Sequence, residues 1–258
     1  MSGLDALVVV GASWVGPAVL VLARVGAFLA ALPVLGTRMV PMRIRAGLAA
    51  LLTVVLLPVA VPDPAAWQGP PAALAVAGEV LLGLAMGFAL QLVFAALVFG
   101  GQALGLGMGL GFASIVDPQN GVQVPVVSQF YVITAVLLFF AMNGHLLLVE
   151  LLAESFRALP PGSGMLGAEG AGTLARWGAR LIGYGVLVTL PAVTAILIVN
   201  LAFGVITRAA PQLNIFAVGF PVTLLVGIAV LGLTLPVLLA RFGELLLDAA
   251  ELVRAIGS

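Results

Sequence analysis

The sequence has no cysteine and no lysine, a single histidine, and only 8% charged residues. The absence of cysteine excludes disulfides, thiolate catalysis, iron–sulfur clusters and cysteine zinc sites. One histidine is too few for a histidine metal cage. Ten arginines and ten acidic residues give a net charge of zero, so the composition offers no electrostatic basis for binding nucleic acid.

Catalytic patterns are also missing. The chain contains no GxSxG, no HExxH, no Walker loop and no GxGxxG that opens a helix after a strand, and these are the patterns that announce a hydrolase, a metalloprotease, a nucleotidase or a dinucleotide enzyme. We therefore expect a protein that is not an enzyme and that has no cofactor, metal or catalytic site.

Apolar residues dominate what is present. They make up 63% of the chain, and the mean hydropathy is +1.28, whereas a soluble domain is roughly half apolar and a quarter charged. About 20 apolar residues suffice for a helix to cross a bilayer. Long apolar stretches occupy residues 12–35, 46–62, 80–116, 118–149, 181–207 and 209–240. These stretches predict an all-α integral membrane protein with five or six apolar helices, and the arginines divide too evenly to fix its orientation.

The apolar stretch 80–116 is too long for one crossing, and glycines crowd its second half between Gly100 and Gly111. Glycine weakens a helix interior, so we expect a helix that is easily broken there. Glycines spaced by four, such as Gly83 and Gly87, let helices approach closely. This spacing favours tight packing within the chain, while the position just before a polar loop favours a hinge or a protein interface.

The segment 107–123 joins these glycines to two turn dipeptides, Asp117-Pro118 and Asn120-Gly121. Irregular backbone cannot face lipid, so the segment must lie in protein or in a wet cavity. Glycines and short polar side chains suit a weakly held, displaceable segment; the alternative is an ordinary tight connector. The residues of this candidate segment are Gly107, Gly109, Gly111, Phe112, Ser114, Asp117, Pro118, Asn120 and Gly121.

Two charges stand in or beside apolar segments. Arg24 lies inside the first apolar stretch and Glu79 at the start of the third, and an unpaired charge in such a place costs several kcal/mol. We expect both to be neutralised by hydrogen bonds between helices, within the chain or to a neighbouring subunit. The alternatives are snorkelling for Arg24 and helix capping for Glu79. Asn143 and His145 follow an apolar run, and a lone histidine there favours a structural role over a proton relay.

The last third of the chain predicts a helical hairpin over residues 181–240, turned at Arg208 to Pro211 because a charge and a proline end one helix and start the next. Two apolar helices of this length have faces that one small chain cannot cover. Residues 241–258 alternate apolar and charged side chains at helical spacing, which predicts an amphipathic tail.

At residues 41–47, 79–88, 101–118, 138–145, 190–193 and 208–221, which include Asn214, the sequence resembles the flagellar biosynthetic FliR family of type III secretion export-gate proteins, and the blocks occur in the family's order. The Asp-Pro loop, the Asn-Gly-His run and the run from Arg208 to Phe216 are the most specific together. The injectisome SctT-like branch is the near alternative, and an ion-coupled secondary transporter is a more distant one.

The resemblance implies a subunit of the export gate in the bacterial inner membrane, at the flagellar basal body. It implies a helical, pore-forming assembly with long broken hairpins and with FliP-like, FliQ-like, FlhB and FlhA partners, which passes unfolded flagellar proteins. It further implies a FliP-like region over residues 1–180, with the plug at 107–123, and a FliQ-like hairpin over residues 181–240. A plug that seals the conduit at rest agrees with the prediction made from the turns and glycines.

Overall fold

The structure is a computed structural model that describes the backbone of residues 3–36, 40–60, 71–111, 126–163, 166–210, 212 and 215–256. These residues form seven α-helices and, within those ranges, no strand. The helices are α1 (Gly3–Ala31), α2 (Met42–Ala60), α3 (Pro71–Gly107), α4 (Val126–Ala141), α5 (Gly144–Ala158), α6 (Ala168–Ala209) and α7 (Ile215–Ile256). The predicted all-α class is confirmed.

Four of these helices, α2, α3, α6 and α7, are long and apolar enough to cross a membrane, and α4 and α5 together form a fifth, broken candidate. Helices α6 and α7 have 42 residues each, which is about 63 Å at 1.5 Å per residue. A bilayer core is only about 30 Å thick. Each of these two helices is therefore about twice as long as one crossing requires.

The chain divides into two compact units. The first unit comprises residues 1–92, 142–178 and 246–258, and the second comprises residues 93–141 and 179–245. In the first unit α2 packs on α1 and also contacts α5, and the fully buried side chains include Leu20, Phe28 and Leu152. In the second unit the ring of Phe94 packs edge-on against Phe139 and Phe242, with centroids 6.3 and 5.3 Å apart.

How easily the third helix breaks at its glycines stays a prediction, and α3 ends at Gly107, inside the glycine-rich run 100–111. Helix α3 runs without interruption through Gly100, Gly101 and Gly105. A Cβ on Gly101 would lie 2.6 Å from the Cα of Ser128 in α4, and one on Gly100 would lie 2.5 Å from Cγ2 of Thr189 in α6. These glycines therefore serve close packing within the chain, and that packing offsets the low helix propensity of glycine.

Helices α6 and α7 extend beyond both ends of the predicted hairpin. Residues 181 and 240 lie inside the continuous helices α6 and α7. The predicted tail is the last part of α7, where Phe242, Leu246 and Val253 are buried while Asp248 and Glu251 are exposed. Its amphipathic character is confirmed, but it is not a separate element because no residue between 240 and 256 interrupts the helix.

Candidate functional site

A charged cluster in the first unit joins α1, α3 and the end of α5. We define it by Arg24, Glu79, Ser155, Phe156, Leu159 and Gly162. The Arg24 side chain is 1% exposed and the Glu79 side chain 0%. Nε of Arg24 donates to Oε2 of Glu79 at 2.6 Å, so the two buried charges form an ion pair.

Every nitrogen of the Arg24 guanidinium has a partner. Nη1 donates to the carbonyl oxygen of Ser155 at 2.9 Å, and Nη2 donates to that of Leu159 at 2.9 Å. The guanidinium carbon also lies 4.5 Å from the centre of the Phe156 ring. A planar fork with five N–H donors suits this multiple recognition, which a lysine could not reproduce.

The backbone explains why carbonyl oxygens are available at the end of α5. The last carbonyls of a helix have no partner within it. Leu159 takes an extended conformation, φ −124° and ψ 93°, which is favoured before Pro160 and ends the helix. Arg24 donates to the Leu159 carbonyl oxygen and adds a second bond to that of Ser155, which also accepts the N–H of Leu159 at 3.0 Å. Oε1 of Glu79 accepts the N–H of Gly162 at 2.9 Å. The ion pair thus fixes both the helix end and the turn that follows it.

Glycines bring α1 and α3 close enough for this pair to form. Glu79, Gly83 and Gly87 are spaced by four and share one face of α3. A Cβ on Gly83 would clash with the carbonyl oxygen of Arg24 and lie 3.0 Å from the backbone nitrogen of Phe28. A Cβ on Gly87 would lie 2.7 Å from the Phe28 carbonyl oxygen. The predicted hydrogen bonding of both charges between helices is confirmed within the chain; their role in assembly stays a prediction.

The second place of interest is the α3 terminus, residues 105–111, in the second unit. Gly109 has φ 81°, a left-handed conformation that glycine adopts without a Cβ penalty. Its N–H donates to the carbonyl oxygen of Leu106, and the N–H of Leu110 donates to the carbonyl oxygen of Gly105, both at 3.0 Å. This pair of bonds is the Schellman motif. Gly107 and Gly109 therefore belong to an ordered helix end and not to a compliant loop.

Two side-chain contacts hold this helix end. Nδ2 of Asn200 in α6 donates to the carbonyl oxygen of Gly107 at 3.1 Å. Met108 is 3% exposed and fills a notch at Gly227 in α7, where a Cβ would lie 2.6 Å from Cε and 2.7 Å from Sδ of Met108. Both helices of the hairpin therefore contact the chain just before residue 112.

Eight other predicted residues lie outside the described residues: Phe112, Ser114, Asp117, Pro118, Asn120, Gly121, Pro211 and Asn214. Arg208 is exposed in the last turn of α6, and His145 is an exposed residue in the first turn of α5.

Asn143 has an identifiable local role. Its φ of 58° and ψ of 31° are left-handed, a conformation that asparagine tolerates better than most residues. Its carbonyl oxygen accepts the N–H of Leu146 at 2.9 Å. Asn143 therefore separates α4 from α5 and starts the second of these helices.

Asn200, Met108 and Gly227 were not predicted from the sequence as contacts of the α3 terminus. One signal was available, because Asn200 is the only amide side chain in the apolar stretch 181–207, and a polar group in such a helix needs a partner. For Met108 and Gly227 the sequence holds no comparable signal, since neither their contact nor its geometry follows from residue type.

The described residues were compared with the requirements of a metal site and of a ligand cavity. Within them, no three His, Asp or Glu side chains are placed to hold a metal ion. A cavity of about 20 Å³ in the second unit, lined by Ala96, Gly100, Gly185, Thr189 and other residues, has room for one water molecule and no larger solute.

Comparisons with known proteins give one consistent result. The family model described as "Bacterial export proteins, family 1" matches residues 15–249. Flagellar biosynthetic protein FliR of Escherichia coli (strain K12) is 39% identical over 233 residues, 90% of this chain and 88% of the relative. FliR of Pectobacterium carotovorum subsp. carotovorum is 38% identical with the same coverage. FliR of Bacillus subtilis (strain 168) is 30% identical, with 82% of this chain and 83% of the relative covered.

Proposed function

The chain belongs to family 1 of the bacterial export proteins, and on that premise we propose that it is a structural, pore-forming subunit of the flagellar type III protein export gate. The observation that carries this proposal is the similarity to the flagellar FliR proteins over 90% of the chain. It is a component of the flagellar export apparatus in the bacterial inner membrane. In this role it conducts unfolded flagellar proteins and carries out no chemical reaction itself.

The exposure of the helices supports a role as one subunit among several. Of the apolar window in each candidate span, 61% is buried in α3 but only 17% in α2, α6 and α7. Large apolar side chains are exposed along the hairpin; Leu187 is 65% exposed and Leu201 68%. Exposed apolar area of this extent is covered either by lipid or by other protein subunits.

The partner assignment follows the family. We propose that residues 1–180 form a FliP-like region and residues 181–240 a FliQ-like hairpin, so that one chain joins both kinds of subunit. The exposed faces of α6 and α7 then pack laterally on FliQ-like hairpins, and FlhB and FlhA are further partners. Helices α6 and α7 are longer than one crossing requires. In this arrangement the parts that extend beyond the hydrocarbon core contact other protein subunits.

Crosslinking tests the hairpin contact. Because the chain has no cysteine, Leu187→Cys and Leu201→Cys each introduce one thiol in an exposed position. We expect crosslinks from both sites to a small helical-hairpin subunit in the assembled gate. The matched control is Ile196→Cys, since Ile196 is 0% exposed and offers its thiol to no neighbour. Exposed positions that react with lipid probes alone contradict the proposal.

We also propose that the segment 107–123 closes the pore. The support is the fixed helix end at Gly109, which determines where the segment leaves α3, together with the two turn dipeptides that follow in the sequence. Deletion of residues 114–122 is expected to leave assembly intact and to make the closed complex leak ions. Normal assembly with wild-type conductance would show that the segment is a connector.

The function as a whole is tested by replacement. The coding sequence for this chain takes the place of that for FliR in a flagellated bacterium, and the flagellar proteins released into the medium are measured. We expect secretion to be restored and the chain to co-purify with the small membrane subunits of the gate. A chain that is monodisperse alone, binds a small solute and restores no secretion would contradict the proposal.

A further inference from the structure

We infer that Asn200 and Gly227 form a latch on the α3 terminus, which holds the start of the pore-closing segment against α6 and α7 until an exported chain releases it. This inference rests on the proposed function, because the proposal assigns the segment to the pore. Both contacts lie within the second unit and act at residues 107 and 108, the first two residues of the segment.

The first contact is a single hydrogen bond between side chain and backbone. Asn200 is exposed, as is its bond to the Gly107 carbonyl oxygen. An interhelical bond of this kind in a membrane protein shifts an equilibrium about 3- to 20-fold. Such a bond biases the helix end toward the attached state without locking it there.

The second contact is apolar and has no directional bonds. Gly227 lies inside α7, where its backbone is helical and needs no glycine conformation, and glycine there weakens the helix. The absent side chain is explained by Met108, which occupies the space that a Cβ would take. Methionine is flexible and adapts to irregular gaps, so Met108 can leave the notch and return to it.

The two contacts lie on different helices of the hairpin, α6 and α7. Whatever moves the hairpin therefore acts on the start of the pore-closing segment through both. Conversely, pulling on the segment strains one weak hydrogen bond and one apolar contact, while the Schellman bonds within α3 remain intact. The expected motion is release of the helix end as a unit, with the two contacts breaking together.

A reversible crosslink tests whether the latch must open. In the assembled gate, Met108→Cys combined with Gly227→Cys places two thiols where the Met108 side chain now meets α7, and the chain has no other cysteine. We expect a disulfide in the closed gate, loss of secretion on oxidation, and recovery on reduction. Each single-cysteine variant is the control and is expected to secrete under both conditions. Failure of the pair to crosslink, or full secretion with the disulfide formed, overturns the latch.

Substitutions that remove the two contacts give a second test, with ion conductance as the measurement. Asn200→Ala and Gly227→Ala are each expected to raise the ion conductance of the closed gate at least threefold, because the first removes the hydrogen bond and the second expels Met108. The control is Gly232→Ala in α7, which has nothing within 4 Å and is expected to leave the conductance unchanged. Unchanged conductance in both test variants overturns the latch if deletion of residues 114–122 does leak.

The outcomes separate the latch from the pore-closing role. A leaking deletion with a disulfide that leaves secretion unaffected removes the latch and keeps the plug. A deletion that does not leak removes the plug and, with it, the latch that rests on the plug.

Discussion

The charged cluster and the α3 terminus solve the same structural problem with very different strength. Each is a helix end at which a side chain from another helix donates to backbone carbonyl oxygens. At the end of α5, Arg24 donates to two carbonyls, and its partner Glu79 accepts the N–H of Gly162, all with side chains at most 1% exposed. At the end of α3, one exposed neutral amide, Asn200, donates one bond.

The difference in bonding indicates which helix end is expected to stay in place. Removing one partner of a buried ion pair costs about 3–5 kcal/mol, whereas one interhelical hydrogen bond in a membrane protein averages about 0.6 kcal/mol. Segments that move are drawn from the least stable parts of a structure. We therefore expect the end of α5 to stay fixed within the first unit and the end of α3 to be released more easily.

The largest loss of stability is expected in the charged cluster. Arg24→Ala and Glu79→Ala each leave a buried charge without its partner, and we expect each to destabilise the chain by about 3–5 kcal/mol. The measurement is the yield and thermal stability of the purified gate complex. Assembly unchanged in both variants would contradict a structural role for the pair.

A double variant and a surface pair act as controls for this prediction. Arg24→Met with Glu79→Leu removes both charges, and we expect it to recover much of the loss because buried apolar replacements of ion pairs are often near neutral. Arg254→Ala breaks an ion pair with Glu154 that is 43% and 36% exposed. An exposed pair contributes about 0–1 kcal/mol, so this variant is expected to assemble normally.

A smaller effect is expected from the glycines that allow close packing in each unit. Gly83→Ala in the first unit and Gly101→Ala in the second place a methyl group against backbone atoms of α1 and α4, and overpacking costs about 1–3 kcal/mol. Gly204→Ala has nothing within 4 Å, and we expect it to stabilise α6 slightly. Equal melting temperatures for the three purified variants would show that the close approaches do not limit stability.

The smallest loss of stability is expected at the α3 terminus. Gly109→Ala places a side chain on a left-handed backbone and is expected to destabilise the α3 terminus by about 1–2 kcal/mol. Gly109→Asn is the matched control, because asparagine also occurs at this position of a helix end. We expect increased ion leak for alanine and close to wild-type leak for asparagine. The same leak in both variants would contradict a conformational role for Gly109.

The sequence predicted what depends on residue type and spacing alone. Membrane character, the all-α class and the turn after Arg208 follow from apolar length, charge and proline, and α6 and α7 do end at Ala209 and begin at Ile215. Arg24 and Glu79 could be recognised because isolated charges in or beside apolar stretches need partners.

What the sequence could not predict depends on which helices face one another. Gly101 and Gly204 are both helical glycines, yet the first faces Ser128 and the second faces nothing within 4 Å. Glycine content alone therefore indicates a weak helix but does not indicate which glycines make close contacts. Asn200 and Gly107 are 93 residues apart, and no local pattern indicates that their atoms meet.

Hydrogen exchange on the assembled, closed gate tests the difference between the two helix ends most directly. The amides of Leu159 and Gly162 are bonded in the charged cluster, and those of Gly109 and Leu110 are bonded in the α3 terminus. We predict that the first pair exchanges far more slowly than the second, and that Asn200→Ala accelerates only the second. Equal protection at both helix ends, or no response of Gly109 and Leu110 to Asn200→Ala, would contradict the account.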